Sequence, residues 1–502
     1  MTAVLMMVCG SLFAQPWVKH VKSVEDTSDP VTFYEIRQAF EQYWDKRDIK
    51  KGYYLKDGTR RKAPGWKQFK RWEYYWESRI EPSTGLFPNT TPYLELQKYL
   101  KEHEGLKASD LSSWRNLGVS SSSGGYAGIG RLNCVAFHPG DNQTFWVGSP
   151  SGGLWMTEDD GQTWSIRNEN TAVLGVSDIV VAPDYSSSQT LYIATGDRDG
   201  GSLWTLGGGQ SNDNNSIGVL KSTDGGNTWQ SSLAFQVSNR KLVTRLLMHP
   251  TDQQILYAAT SDGVYKTMDA GNTWVLLSSR SFIDMEFKPG DPSVMYGSTK
   301  SYNSTRIYRS ADGGTIWQEI QDVQGIRTEL TVSPNNPDRV YAVAANSQGG
   351  LKGIYRSDDA GQSFEVAYPD TLMNLLGYMS DGSEDGGQGF YDLTIQADPN
   401  HADTLLVGGI NTWRSFDGGE TWTCVNMWTG STQYNFSSIP VVHADKHAMA
   451  FQNGTSVFFE GNDGGIYRSV DYGNSWEDLT DGMVISQLYR LGSSQTDSSS
   501  VI

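Results

Sequence analysis

GIYRSVDYGNSW, residues 465–476, is a short apolar strand that runs into a Ser, an Asp two residues later, a Gly and a Trp. The second half of this stretch, SVDYGNSW (469–476), recurs as TEDDGQTW (157–164), STDGGNTW (222–229), TMDAGNTW (267–274), SADGGTIW (310–317), SDDAGQSF (357–364) and SFDGGETW (415–422). The central aspartates are Asp159, Asp224, Asp269, Asp312, Asp359, Asp417 and Asp471, spaced by 65, 45, 43, 47, 58 and 54 residues. In such a segment the Asp and the Ser or Thr bond backbone groups of a tight turn. The Gly takes a conformation that a Cβ would forbid. The Trp is large enough to wedge between neighbouring units. These aspartates are therefore read as structural.

Each turn follows a strand such as GGLWMT, IGVLKS or GGIYRS, and upstream lies another such as TFWVGS or TLYIAT. Upstream again comes an alternating strand that ends near a proline: CVAFHP, DIVVAP, RLLMHP, DMEFKP, ELTVSP. Four strands per repeat, at this period, describe one blade of a β-propeller. The expectation is an all-β chain of about seven four-stranded blades over residues 111–480, complete or the first part of a larger or double propeller. Residues 481–502 begin a further unit and stop in mid-strand, so the sequence reads as a fragment.

Composition agrees with many short strands joined by Gly-rich turns: 54 Gly, 17 Trp and 25 Tyr in 502 residues. The net charge of −17 disfavours nucleic acid and anionic membrane as partners. Residues 1–14, MTAVLMMVCGSLFA, read as a signal peptide cleaved after Ala14. The run is too short for a span, which needs about 20 apolar residues. Within residues 15–110, three stretches have apolar residues at helical spacing: 31–47, 64–80 and 92–105. Their aromatics (Trp44, Trp66, Trp72, Tyr75, Trp76) are read as packing against the propeller rather than as a sugar-stacking face. Cys134 falls on an inner strand and Cys424 on an outer one. That is too far apart for a disulfide, whose Cα atoms lie within about 7 Å.

Innermost strands line a propeller's channel, and their entrances converge on one face. The residue five before the strand-ending proline is Cys134, Asp178, Arg245, Asp284 and Glu329. Allowing a bulge, the sixth is Asp392, and His447 is placed in the seventh. Carboxylates brought together raise one another's pKa and do acid–base work. Asp178, Asp284, Glu329 and Asp392 are thus the candidate catalytic residues, and Arg245 and His447 candidate binding residues. The alternative is that these acids pair with Arg245 or cap strand ends. Residues 196–216 form a long polar insertion, in which Trp204 is a candidate sugar-stacking residue. Asp197, Asp199 and Asp213 are weak candidates for Ca²⁺, the one cofactor considered. His443, Asp445 and His447 alternate and would share a strand face, a weak metal candidate. A second rim loop spans 379–390.

With its seven turns and the segment GNDGGIYRSVDYGNSW (461–476), the chain resembles the Asp-box (BNR-repeat) propeller superfamily. Within it, sortilin-type domains and the two-propeller xyloglucanases are most similar. The helical N-terminus followed by a propeller also resembles bacterial surface proteins exported through a C-terminal sorting domain, absent here. This resemblance implies secretion or cell-surface display. In the xyloglucanases an Asp precedes an I/V-G-G-A-Y strand of the first blade, and Pro150 stands at that place here. A proline transfers no protons, and the family's second Asp belongs to a second propeller. The expectation is therefore a non-catalytic, secreted or surface propeller that binds a glycan or protein at the channel mouth. The alternative is a glycoside hydrolase that uses a carboxylate pair.

Overall fold

A computed structural model describes residues 31–63, 65–88, 90, 95, 98–99, 101–103, 118–199, 216–235, 241–301 and 304–488. The chain divides into two compact units. One holds Met1–Ser113, Gly200–Asp213 and Leu488–Ile502, and the other Trp114–Asp199 and Asn214–Gln487. The expected signal peptide, Trp204, Asp213 and most of the third helical stretch lie outside the described residues.

The larger unit is a ring of seven four-stranded sheets, each a meander of consecutive antiparallel strands. The innermost strands are Cys134–Phe137, Val176–Val181, Val243–Met248, Asp284–Lys288, Arg327–Ser333, Thr394–Ala397 and Lys446–Phe451. The seventh blade closes onto the first, where Leu132 and Ile129 donate backbone hydrogen bonds to Asn462 (3.0 Å) and Gly464 (3.0 Å). Second strands are largely apolar on both faces because blades cover them on both sides. Phe145–Ser149 and Leu256–Thr260 are buried throughout.

The seven Asp turns join third strands to fourth strands. In the first, Asp159 accepts from Thr157 Oγ1 (2.8 Å), Thr163 N (2.8 Å) and Thr163 Oγ1 (2.7 Å), while Thr157 Oγ1 accepts from Gly161 N (2.9 Å). The residue after the Asp is left-handed in every turn, at Gly in three and at Asp160, Ala270, Ala360 and Tyr472 in the others. Several tryptophans tie blades together. Trp164 donates to Leu479 O (2.9 Å), Trp229 to Arg167 O (2.8 Å) and Trp274 to Ser232 Oγ (3.0 Å).

The smaller unit has helix α1 (Phe33–Trp44), hairpin β1 (Tyr53–Lys56) and β2 (Thr59–Lys62), and helix α2 (Trp66–Trp76). Thr32 and Glu35 form a reciprocal capping box at α1. The hairpin was not anticipated. Its signal was Asp57-Gly58, both with positive φ (51° and 74°) as a two-residue primed turn needs. Trp44, Trp72 and Trp76 are buried together with Phe33, Phe40 and Phe69 in this unit's own core, and Trp66 and Tyr75 pack partly against it. No described helix is long and apolar enough to cross a membrane.

Candidate active site

Ladder register decides which side chains share the channel ring. Cys134, Asp178, Arg245, Asp284, Glu329 and Thr394 pair with equivalent positions of their second strands. The sixth ring position is therefore Thr394, which lies five before Pro399 with no bulge, and Asp392 precedes the strand. His447 sits at a register shift between Lys446 and Ala448. It still lines the channel cavity of about 280 Å³ with Cys134, Asp178, Arg245, Asp284 and Glu329.

Within that channel most acids are spent on structure. Asp178 accepts from its neighbour Ile179 N (2.9 Å) and from Leu246 N of the next blade (2.7 Å). Asp284 likewise accepts from Met285 N (2.9 Å) and from Leu330 N of the next blade (2.9 Å). Arg245 faces Glu286 (2.6 Å), Asp284 (3.4 Å) and Asp178 (3.8 Å). Glu329 is clamped by Arg327 (2.7 Å) and Arg198 (2.9 Å). Burial pushes Asp284 up to about 7 against the pull of Arg245, with Glu329 and Glu286 adding to the rise. The two backbone donors on Asp284 favour its charged form, and burial, helped by the neighbouring carboxylates, outweighs them.

Asp197 pairs with Arg131. Asp199 forms an ion pair with Arg327 (2.8 Å) and faces His447 Nδ1 (2.9 Å). Burial of Asp199 is outweighed by Arg327, Arg198 and His447, which hold it well below the usual carboxylate range. His447 lies between two carboxylates, its Nε2 being 3.0 Å from Asp463 Oδ1. They keep the buried imidazole charged above its ordinary value despite desolvation. His443, Asp445 and His447 thus do not converge on one point. Among the described residues no group of three or more His, Cys, Asp or Glu is arranged to hold a metal ion. Cys134 and Cys424 are buried free thiols.

A second group gathers where the sixth and seventh blades meet. The turn before Lys446–Phe451 and the turn between Phe458–Asn462 and Gly465–Ser469 are tied together by Asp463 N, which donates to Ala444 O (3.2 Å) and Asp445 O (3.2 Å). This brings two half-buried carboxylates side by side. Burial first, then the charge of Asp463, raises Asp445. Asp463 is lowered: burial opposes it, but His447, Arg131 and Tyr391 overcome that. Tyr391 donates its hydroxyl to both oxygens of Asp463 (3.0 and 3.1 Å). Behind them Asp392 is fully buried. Burial and the neighbouring Asp445 push it well above the carboxylate range.

Asp445 opens into a cleft of about 350 Å³ lined also by Tyr126, Tyr378, Trp428, Gln388 and His443. Gln388 donates to Asp445 (3.1 Å), and Trp428 Nε1 donates to Tyr378 O (2.9 Å). Tyr126 and Trp428 ring centres lie 6.2 Å apart, and Tyr378 and Trp428 6.4 Å. The arrangement is an aromatic-walled groove lined by Asp445, with Asp463, whose pKa is shifted the opposite way, in the adjoining turn. Sequence reading singled out Asp445 for metal and Asp392 for the channel ring, and it missed Asp463 and the aromatics. Asp463 did carry a signal, since Asp-Gly-Gly-Ile-Tyr (463–467) has the Asp before a Gly-Gly strand that Pro150 lacks in the first blade. Asp262 holds the corresponding turn in the third blade, but it pairs with Lys241 away from the cleft.

No protein-family model matches the chain. In sequence it is similar to a xyloglucanase from Paenibacillus sp., 24% identical over 379 residues, which cover 67% of this chain and 35% of the relative. A xyloglucanase of Acetivibrio thermocellus is 24% identical over 357 residues, 63% of this chain and 39% of that protein. An oligoxyloglucan-reducing end-specific xyloglucanase of Emericella nidulans is 26% identical over 247 residues, 48% of this chain and 24% of that protein. The chain thus spans well under half the length of these relatives. Among solved structures, the GH74 xyloglucanase of Xanthomonas campestris superposes with a TM-score of 0.51 at 17% identity, over 71% of this chain and 55% of that one. These likenesses agree with the propeller and with its xyloglucanase-like character. They correct the expectation of a non-catalytic binding propeller: the relatives are enzymes, and the glycoside hydrolase alternative is the better supported.

Proposed function

We propose that the chain is an exported glycoside hydrolase acting on a xyloglucan-class polysaccharide in the cleft between the sixth and seventh blades. The observation that carries this reading is the pair Asp445, which lines the aromatic-walled groove, and Asp463 in the turn bonded to it, whose surroundings push their pKa values in opposite directions. Glycosidic cleavage needs one neutral and one ionised carboxyl group, and environments that separate two acids assign those roles. Asp445 donates the proton to the leaving oxygen. Asp463, fixed by Tyr391 and His447, takes the ionised role. Tyr126, Tyr378 and Trp428 offer apolar ring faces to sugar rings. The relatives' names supply the substrate class, and the chemistry draws on carboxyl groups alone.

The test is reducing-end release from xyloglucan by the purified chain, assayed from mildly acidic to neutral pH. Asp445→Asn and Asp463→Asn are each expected to lower the rate by about 10²–10⁴-fold with the fold retained. A folded wild-type protein that releases no reducing ends, or variants that cleave like wild type, would sink the assignment.

A further inference from the structure

The most basic part of this acidic molecule is the surface built by the end of α1, the hairpin β1–β2 and the start of α2. Residues 46–71 hold eleven Lys and Arg against two Asp, in a chain whose net charge is −17. Lys46, Arg47, Lys51, Lys56, Arg60, Arg61, Lys67 and Arg71 are all exposed. Among the described side chains of this segment, the cations that pair with a carboxylate are Lys50, with Asp48 (2.9 Å), and Lys70, with Glu73 (2.7 Å).

Other cations are held by rings instead. Arg60 lies 4.0 Å from the centre of the Tyr53 ring, with Lys67 at 5.7 Å from the same centre. Arg47 lies 5.3 to 5.5 Å from the rings of Trp44, Tyr43 and Tyr54. A ring orders a cation without cancelling its charge, so these aromatics leave a fixed, uncompensated positive surface. The unit's core keeps Trp44, Trp72 and Trp76 for packing. The hairpin adds nothing to that core through Lys56, Arg60 or Arg61, so their charge has no structural use there.

We propose that this face binds a negatively charged polysaccharide, a chain of sugar rings carrying carboxylate groups. The size of the patch selects among polyanions. Each hairpin strand is four residues long, which spans about 13 Å. A stiff duplex or an anionic bilayer spreads its charge far past such a patch, which meets only a small part of it. A thin single glycan chain runs along the hairpin alone. The choice of a glycan over another slender polyanion rests on the hydrolase reading above.

The test uses the full chain and immobilised polygalacturonate, with neutral xyloglucan, duplex DNA and anionic phosphatidylglycerol vesicles as comparison arms. Retention on polygalacturonate is expected at low salt, with log affinity falling linearly in log salt. Arg60→Ser/Arg61→Ser is expected to weaken binding by about tenfold and to flatten the salt slope by about 1 to 2. Arg61→Lys, which keeps the charge, is expected to bind like wild type. Asp445→Asn is expected to stay bound, which separates this proposal from the hydrolase reading. No retention at low salt, retention unchanged in the double variant, or tighter binding to DNA or vesicles at equal salt would each overturn it.

Discussion

Asp445 and Asp463 are joined by a backbone hydrogen bond, yet burial and the charge of Asp463 raise Asp445, while His447, Arg131 and Tyr391 overcome burial and lower Asp463. The rate should therefore be bell-shaped in pH. It falls on the alkaline side as Asp445, its pKa raised, loses its proton. It falls on the acid side where Asp463, its pKa lowered, gains one. His447 is a positioning residue for this pair. It bridges Asp199 and Asp463, and its charge keeps Asp463 ionised. In His447→Gln the acid limb is expected to move to higher pH, with about a tenfold rate loss at the acid end and little change at the optimum. The pH–rate profile reads this, and the imidazole proton shifts of the wild-type protein give an independent readout. An imidazole that titrates at or below 6.5, its ordinary value, would contradict the charged bridge.

At the scale of the element, the inner strands are joined by carboxylates as well as by packing. Asp178 and Asp284 each carry a backbone N–H of the next blade. We propose that they hold the ring rather than do the chemistry. Asp178→Ala leaves the buried Ile179 and Leu246 N–H groups without a partner, and is expected to cost about 1–3 kcal/mol. Chemical denaturation measures that loss. Hydrolysis well below the unfolding transition is expected to stay within about twofold of wild type, whereas a catalytic carboxylate would lose orders of magnitude. Trp229 shows the same principle on the outside of the blade, where its indole N–H reaches the outer strand of the preceding blade.

Across the whole molecule, buried charge makes stability depend on pH with a definite sign. Asp284 goes from 3.8 to about 7 on folding, and Glu286 and Asp392 are also raised. These groups stabilise the fold while protonated, and the contribution is lost as pH rises from about 4 to about 7. His447, also raised, contributes below its unfolded value and loses that as pH climbs. Asp199 and Asp463 are lowered, so their contribution is present above 3.8 and lost at lower pH. Melting temperature is expected to peak in the weakly acidic range and to fall toward both pH 3 and pH 8. A melting temperature that rises steadily from pH 5 to pH 8 would show that the buried acids are not protonated in the fold.

The seven blades were readable in the chain because each Asp turn closes its hydrogen bonds within four residues, as Asp159 does with Thr163. Local chemistry of that kind repeats wherever the residues repeat, so period, blade number and the role of the seven aspartates stand in the sequence. The first two helical stretches, 31–47 and 64–80, were legible from apolar residues at helical spacing and hold α1 and α2, while the hairpin hid in a highly charged segment. Counting from the proline placed Asp178, Arg245, Asp284 and Glu329 on the channel ring, but the bulge allowance put Asp392 where the ladder puts Thr394. What those side chains meet was not legible. His447 faces Asp199 across 248 residues of sequence, and the cleft draws Tyr126, Tyr378, Trp428 and Asp445 from turns that only ring closure brings together. Which acids face cations and which face one another sets their protonation. That depends on distances through the closed ring, and so the tertiary structure alone decided it.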